Sequence, residues 1–474
     1  MNRARWVSVP TARACGDAAG AETRRAKRVD PMTEKISYLD ICQRCVKRAV
    51  ALGAEWCDVA AGSARDIEVS IEKSGIKAAD AGQGESVAVR AFVRGGMGYM
   101  SASGTDPRDI DEAVERAVAL AKEATADPDF VALPQPDPAE EVEGRFDDAI
   151  AGMGVADVVR IAAANLEAGR AIEPDVLLAG HVGLVVGQGA LASSTGVALV
   201  TEGTRIDASI EAVLKRNGDV GYFYEFDFGR FLADCTPEKV AESAVRSARR
   251  FLGAKRIASG RRTLVLGPLA AYGLVGAVVA AANAESIQRG RSYLCGKLGE
   301  RIASPCLTVV DDPLVPRGMR SGAHDGEGTR RRRLTIIDRG TLASLLHNSY
   351  TAGKAGARST GHGTHSGGIS PTNLQPALGE RPADEILREV QDGIYLESGD
   401  IRPDSASGDI SASIDFGFLV RKGELVHPVE SAMIGANVFD LLGNLDAVSS
   451  DARLEPGLAM PTLRIQNVQI AGAQ

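Results

Sequence analysis

Two groups of side chains in the second half of this chain could carry out chemistry. The stretch Gly361-His362-Gly363-Thr364-His365 places two imidazoles three residues apart, and Asp325-Gly326-Glu327-Gly328 places two carboxylates close together. Imidazoles and carboxylates can bind divalent metals and can transfer protons during hydrolysis. The sequence therefore allows an active hydrolase built around His362, His365, Asp325 and Glu327.

The residues around the two histidines favour a binding role over a metal site. They lie in a long glycine-rich loop from Ser359 to Asn373, and the histidine motif itself contains no acidic or thiol residue. A flexible loop does not orient two imidazoles for metal binding. Because loops commonly carry binding function, we favour contact with a substrate or with a partner chain.

The carboxylates also have a purely structural interpretation. Asp325 and Glu327, with the nearby pair Asp311-Asp312, could hold a cation or serve as acid and base. Asp and Gly are equally suited to tight turns, because the Asp side chain bonds the backbone and Gly accepts positive φ. We favour the turn.

Arg330 to Arg333 form a run of four basic residues that could contact nucleic acid. The chain as a whole carries a formal net charge of −8, and no aromatic residues interrupt the run. Nucleic-acid binding needs a basic face. A solvated surface or a local network of ion pairs is therefore the favoured interpretation.

The seven cysteines show no paired framework, which indicates reduced thiols. Cys42 and Cys45 form a C-x-x-C without the second pair that such zinc sites need. Both fall in a helical pattern, so we interpret them as two small buried residues on one helix face. A G-x-S-x-G motif, a P-loop and a dinucleotide fingerprint after a strand are all absent from the sequence.

The elements that must position these groups include an internal repeat. We expect one α+β copy over residues 32–133 and a second over 142–258. Both copies contain a helix, alternating strands and a second helix, with helices predicted at 37–52, 107–125, 154–170 and 237–254. Hydrophobic residues alternate with period two in the strands, as in Ile67, Val69, Ile71 and in Ile206, Ala208, Ile210. Short glycine-containing links favour antiparallel hairpins. The predicted fold class is therefore α+β.

Residues 262–474 are expected to form a third, C-terminal domain of mixed α and β structure with an antiparallel sheet. Its first helix, at about 269–284, is too short and too rich in Ala and Gly to be a good membrane span, so we predict a buried helix. A second helix is predicted over 341–353. Residues 1–31 are rich in Arg and Lys without an apolar run, which indicates a disordered extension or a misassigned start before Met32.

Seven short motifs in the second half resemble the TldD/PmbA family, historically described as modulators of DNA gyrase. Their order and spacing fit this family over about 262–472, and the duplicated first half fits its N-terminal region. The motifs are Arg289-Gly290-Arg291-Ser292, Lys297-Leu298-Gly299, Leu307-Thr308-Val309-Val310-Asp311-Asp312-Pro313, Asp325-Gly326-Glu327-Gly328, Ala355-Gly356-Ala357-Arg358-Ser359-Thr360-Gly361, Pro371-Thr372-Asn373 and Ser407-Gly408-Asp409-Ile410-Ser411.

The resemblance also implies that this chain lacks the zinc site of the TldD type. Members of that type carry H-E-x-x-x-H on the helix before the R-G-x-S segment and a Cys ligand near the C-terminus. The corresponding positions here are Val275, Gly276 and Ala280, and no Cys follows Cys306. The chain therefore resembles the PmbA (TldE) type, for which the resemblance implies no metal and no other cofactor.

The resemblance implies a cytoplasmic, non-catalytic subunit that pairs with a TldD-type metallopeptidase, or with itself, and holds unfolded peptides. Contact with nucleic acid or membrane is not expected. The alternatives are the active hydrolase described above and a DNA-gyrase-associated regulator that uses Arg330 to Arg333. The residues we expect at a peptide-binding or interface site are Asp325, Glu327, Gly328, Ser359, Thr360, Gly361, His362, Asn373, Gly408 and Asp409.

Overall fold

Two copies of one helix–strand–helix unit build a single antiparallel sheet in the first half of the chain. The computed structural model describes residues 37–473, so the expectation for residues 1–31 lies outside the described part. The first copy consists of α1 (Tyr38–Ala51), β1 (Trp56–Glu72), β2 (Gly75–Val93), β3 (Gly96–Ser103) and α2 (Pro107–Glu123). The second consists of α3 (Asp148–Gly152), α4 (Val155–Ile172), β4 (Leu177–Ser193), β5 (Ala198–Arg216), β6 (Asp219–Gly229) and α5 (Pro237–Arg250).

The two copies meet at the centre of this sheet. Its strand order is β3-β2-β1-β4-β5-β6, and β1 pairs with β4 from Asp58 opposite Ser193 to Ile71 opposite Gly180. The predicted alternation is observed, since Ile67, Val69, Ile71, Ile206, Ala208 and Ile210 are all buried. Period-two burial places these side chains on one face of the sheet. This architecture confirms the predicted α+β class.

The C-terminal part contains two further sheets. Its elements are β7 (Gly260–Leu266), α6 (Pro268–Ala281), α7 (Ala284–Gln288), β8 (Val309–Asp311), β9 (Leu334–Asp338), β10 (Thr341–Leu342), α8 (Ser349–Lys354), β11 (Leu374–Pro376), α9 (Ala383–Arg388), β12 (Asp392–Ser398), β13 (Asp409–Ser413), β14 (Phe416–Arg421), β15 (Glu424–Pro428), β16 (Ala432–Asn437), α10 (Val438–Gly443), β17 (Leu445–Glu455) and β18 (Leu458–Gly472). The eight-stranded sheet has the order β13-β16-β18-β7-β12-β14-β15, with β17 paired to β18, and the four-stranded sheet has the order β10-β9-β8-β11.

The predicted buried helix is α6, which packs in the core of the C-terminal part. Its residues Leu274, Val275, Val278 and Val279 are buried against β-strand side chains such as Leu264. Pro268 occupies the first turn, where its missing N–H costs nothing. Of the helices described between residues 37 and 473, none combines the length and apolar composition that crossing a bilayer requires.

The prediction of a helix over 341–353 is wrong for the first half of that range. Thr341 and Leu342 pair instead with Asp338 and Ile337 in a tight hairpin. A turn at 338–340 makes this possible, because Gly340 has a φ of 81°. The helix begins only at Ser349, after the side chain of Asn348 caps it by accepting a hydrogen bond from the Thr351 amide.

Cys42 and Cys45 are buried on one face of α1, which confirms their interpretation as small core residues. Burial raises the pKa of the Cys45 thiol to about 11. All six cysteines within the described residues are free thiols. The seventh, Cys15, lies outside them.

Equivalent glycines allow a helix to lie directly on a strand in each copy. A β-carbon on Gly98 in β3 would stand 2.0 Å from the Ala117 carbonyl oxygen of α2, and one on Gly221 in β6 would stand 2.1 Å from the Ala248 oxygen of α5. Both obstacles are backbone atoms, which cannot rotate away. The repeat therefore retains these glycines for close packing.

Substituting either Gly98 or Gly221 by Ala should lower the free energy of unfolding by about 1–3 kcal/mol, the usual cost of overpacking. Gly84 is the control, because it lies in β2 and nothing is within 4 Å of its β-carbon position. Denaturant titration of the three variants gives the comparison. A Gly84→Ala loss as large as the other two would contradict the packing argument.

Candidate functional site

Three charged side chains from distant parts of the sequence meet in a buried cluster. Arg90 of β2 donates to both carboxylate oxygens of Asp58 of β1, at 3.0 and 2.6 Å, and to Glu327 Oε1 at 3.3 Å. The exposed fractions are only 5% for Arg90, 1% for Asp58 and 2% for Glu327. Burial opposes the charge of Arg90, but the two carboxylates outweigh it and raise its pKa.

The strands fix the first two of these residues. Asp58 and Arg90 are directly opposite one another in the antiparallel β1–β2 pair, so their side chains leave the sheet on the same face. Glu327 comes from the loop before β9 and reaches this face from the C-terminal part. The ion cluster therefore joins the duplicated sheet to the C-terminal loops.

The second oxygen of Glu327 serves the C-terminal part itself. Glu327 Oε2 accepts a hydrogen bond from the Ser349 amide at 2.8 Å, and Ser349 is the first residue of α8. A carboxylate at this position satisfies an amide that has no partner within the helix. Glu327 thus links the ion cluster to the start of α8.

Asp325 forms the predicted turn. Its Oδ1 accepts from the amides of Glu327 and Thr329, both at 2.9 Å, and its Oδ2 accepts from the Gly363 amide at 2.8 Å. These bonds confirm the turn interpretation of the Asp-Gly-Glu-Gly motif. The turn at 325–328 crosses the loop Ser359 to Asn373 closely, and a glycine in each makes this possible. A β-carbon on Gly326 would stand 2.6 Å from the His365 amide nitrogen. A β-carbon on Gly363 would stand 2.5 Å from Glu327 Oε2.

Burial and the neighbouring Glu327 charge raise the pKa of Asp325 to about 6, although three backbone amides act in the opposite direction. Protonation of Asp325 therefore stabilises the folded chain. This stabilisation is fully present below the ordinary pKa of an aspartate and is lost as the pH rises through about 6.

The two histidines are largely enclosed by neighbouring residues, whereas the sequence predicts a flexible loop around them. His362 is 1% exposed, its Nδ1 lies 2.9 Å from Thr360 Oγ1, and its Nε2 lies 3.7 Å from Asp311 Oδ2. His365 Nε2 lies 3.7 Å from Asp58 Oδ1. Burial lowers the pKa of His365 despite the nearby Asp58 carboxylate, which favours a neutral ring.

The structure places the predicted site residues in separate locations. Glu327 belongs to the ion cluster, Gly328 follows it in the chain, and Asp325 forms the adjoining turn. The Ser359 and Thr360 hydroxyls donate to the His347 carbonyl, His362 lies beside Thr360, and Gly361 lies against Arg331. Asn373 lies apart and donates to the Asp312 carbonyl and to Ser321 Oγ. Gly408 and Asp409 lie at the start of β13, where Asp409 accepts from Asn437. Most of these residues are buried, so they support loops and strands within this chain.

Sequence reasoning missed Asp58, Arg90 and Ser349. A signal for the first two was present, because each charge interrupts an apolar strand, as in Val87-Ala88-Val89-Arg90-Ala91. A charged residue in a strand that is buried on both faces needs a buried counterion. The partner Glu327 is too far along the sequence for any local pattern to identify it.

The geometry supports neither the active hydrolase nor nucleic-acid contact by Arg330 to Arg333. The carboxylates of the hydrolase hypothesis are buried, and their oxygens already bind Arg90 or backbone amides. In the basic run, Arg332 pairs with Asp137 at 2.8 Å and Arg333 lies 3.8 Å from Asp312. These contacts confirm the ion-pair interpretation of that run.

A zinc ion does not fit the helix that would hold it. Val275 is 1% exposed in the core, and Gly276 and Ala280 on α6 offer no ligand atom. Throughout residues 37–473, no three His, Cys, Asp or Glu side chains are grouped in a way that could hold a metal. No catalytic step through a metal can be derived from these residues.

Three domain patterns of one family match this chain. The PmbA/TldA metallopeptidase domain 1 matches residues 57–121, the central domain matches 144–252 and the C-terminal domain matches 259–472. Together they cover both copies of the repeat and the C-terminal part.

Individual proteins give the same result. A metalloprotease of Methanothermobacter thermautotrophicus is 32% identical over 255 residues, which is 50% of this chain and only 56% of that protein. The metalloprotease PmbA of Escherichia coli O157:H7 is 27% identical over 92% of this chain and 98% of its own length.

Solved structures establish the same fold. TldE from Thermococcus kodakarensis superimposes with a TM-score of 0.84 at 24% identity, covering 91% of this chain and all of that one. A candidate modulator of DNA gyrase from Bacteroides thetaiotaomicron also reaches 0.84, at 21% identity, covering 92% of this chain and 98% of that one.

Replacing Arg90 by Met should destabilise the fold by about 3–5 kcal/mol, because two buried carboxylates lose their shared counterion. The control is Arg48→Met, which removes an ion pair with Glu115 on the surface and should cost less than about 1 kcal/mol. Denaturant titration measures both. Equal losses for the two variants would show that the buried cluster has no special importance.

Proposed function

Because this chain belongs to the TldD/PmbA family of metallopeptidase-like proteins, we propose that it is a TldE-type subunit. It assembles in the cytoplasm with a TldD-type metallopeptidase, or with itself, and holds unfolded peptides without carrying a zinc ion. The observation that carries this proposal is α6, where Val275, Gly276 and Ala280 occupy the positions at which the TldD type has its ligands and base.

The apolar character of α6 supports a scaffold role. Leu274, Val275, Val278 and Val279 fill the core between the strands, so the helix stabilises the fold in place of holding a metal. A subunit of this kind retains the shape of the family while a related chain supplies the hydrolysis. The names of the relatives, which include PmbA, TldE and a TldD homologue from Buchnera aphidicola, are consistent with two related chains.

Strand addition is a suitable way to hold unfolded peptides of varied sequence, because the main chain supplies the hydrogen bonds. Among the described strands, β3 pairs only with β2 and ends the six-stranded sheet. Met97 and Tyr99 of β3 are 51% and 42% exposed. The Tyr99 ring centroid lies 6.4 Å from that of His365, so this edge adjoins the loop Ser359 to Asn373 that we expect near the peptide. We assign the peptide to the β3 edge.

The purified chain should contain no stoichiometric zinc and should not hydrolyse peptides alone, whereas co-expression with a TldD-type chain should give a stable complex with peptidase activity. Elemental analysis, light scattering and peptide hydrolysis test these three points. One tightly bound zinc per chain would contradict the proposal. So would a strict monomer that neither binds the TldD-type chain nor changes its hydrolysis rate.

Met97→Lys should weaken peptide binding, since an edge-strand lysine opposes the addition of a further strand. Val220→Lys is the matched control, because Val220 precedes Gly221 in β6 as Met97 precedes Gly98 in β3, and Val220 is 53% exposed. Fluorescence anisotropy of a labelled unfolded peptide on the complex measures both. Equal effects of the two lysines would exclude the β3 edge as the peptide site.

A further inference from the structure

Three arginines gather where the second copy of the repeat meets the C-terminal loops. Arg145 precedes α3, Arg230 follows β6, and Arg331 follows the Asp-Gly-Glu-Gly turn. The Nη1 atoms of Arg331 and Arg145 lie 3.5 and 3.8 Å from the position that a β-carbon on Gly322 would take. Both guanidinium groups therefore border Gly322, which has no side chain of its own to stand between them.

Within the described part of the chain, none of the three guanidinium groups forms an ion pair with a carboxylate. Arg331 donates to the carbonyl oxygens of Gly361 and Arg320, and Arg230 donates to those of Thr204, Gly318 and Met319. The Arg145 side chain makes no hydrogen bond to the described residues, and its Nε is buried without a partner. Carbonyl oxygens satisfy N–H groups but carry no net negative charge. The Asp325 and Asp311 carboxylates offset part of the Arg331 charge, but burial and the neighbouring Arg145 and Arg320 outweigh them and lower its pKa.

Buried Thr204 holds two of these arginines in place through their backbones. Its amide donates to the Arg145 carbonyl at 3.0 Å, and its hydroxyl donates to the Arg230 carbonyl at 2.7 Å. The backbones of Arg145 and Arg230 are therefore held next to one another. Burial is the main cause that lowers the pKa of Arg230, to about 10, and the positive charges of Arg145 and Arg205 act in the same direction.

We propose that Arg145, Arg230 and Arg331 form a binding site for one oxyanion, either a carboxylate or a phosphate. Guanidinium groups bind both kinds of anion through paired, charge-assisted hydrogen bonds. The C-terminal carboxylate of a bound peptide would be one source, and this source rests on the proposed function. Free phosphate would be the other, and it is independent of that function.

Arg145→Met tests the site, because the Arg145 side chain has no hydrogen bond to lose and the variant should fold. Inorganic phosphate should raise the melting temperature of the unaltered chain relative to chloride at equal ionic strength, which excludes simple screening. In Arg145→Met the phosphate affinity should fall roughly 30-fold or more, as expected when one partner of a buried charge pair is removed. Without phosphate, the variant should melt at the same or a higher temperature.

The control is Arg332→Met, which removes the same charge from an exposed residue already paired with Asp137. It should keep the phosphate response. A folded Arg145→Met variant with an unchanged response would overturn the site, and so would an unaltered chain that does not respond to phosphate.

Two unfolded peptides of the same sequence, one ending in a carboxylate and the other in an amide, distinguish a peptide carboxylate from free phosphate as the source of the anion. If only the peptide with the carboxylate competes with phosphate, the result would support peptide capture. Equal behaviour of the two peptides, with a phosphate response that depends on Arg145, would overturn peptide capture and support phosphate. Because the phosphate measurement needs only the single chain, failure of the TldD-type complex to form would leave its result valid.

Discussion

The contact between Arg90 and the two carboxylates of Asp58 and Glu327 is the constraint on which the arrangement of this chain depends. Each of these charges would be costly alone in the protein interior. Arg90 offsets one of the two negative charges, and the Ser349 amide donates to Glu327, where it helps to stabilise the negative charge that remains. Since Asp58 and Arg90 belong to the duplicated sheet and Glu327 to a C-terminal loop, the cluster forms only when both parts are folded and in contact. It therefore specifies the docking of one part on the other.

The neighbouring polar groups extend this constraint into the loops. Glu327 also binds the first amide of α8, and Asp325 binds an amide from the histidine loop, so a shift at the ion cluster would disturb both segments. Side chains of the kind that could do acid–base chemistry are here occupied with backbone amides. This explains why a motif that suggests catalysis instead behaves as a support for two crossing loops.

Local patterns predicted the elements well and the site only in part. Period-two and helical patterns identified the repeat, because each strand or helix is determined by residues a few positions apart. The helix predicted over 341–353 failed because the hairpin at Thr341 competes with it. Asp325 and Glu327 were recognised, but their enclosure depends on Arg90, which is 237 residues from Glu327. Only the folded chain shows that contact.

The two copies of the repeat place their charge pairs differently. Asp58 in the first copy lies within β1 and pairs with buried Arg90, whereas Asp175 in the second copy precedes β4 and pairs with Arg216 on the surface. A surface pair of this kind contributes less than about 1 kcal/mol.

The second copy contacts the C-terminal part through aromatic rings, with the Phe251 and Phe418 centroids 4.7 Å apart, and through ion pairs such as Arg453 with Glu225 at 2.7 Å. Apolar packing stabilises a contact without selecting a single orientation as strictly as directed charges do. Both copies therefore use directed charges towards the C-terminal part, and the second copy adds the buried area of its aromatic rings.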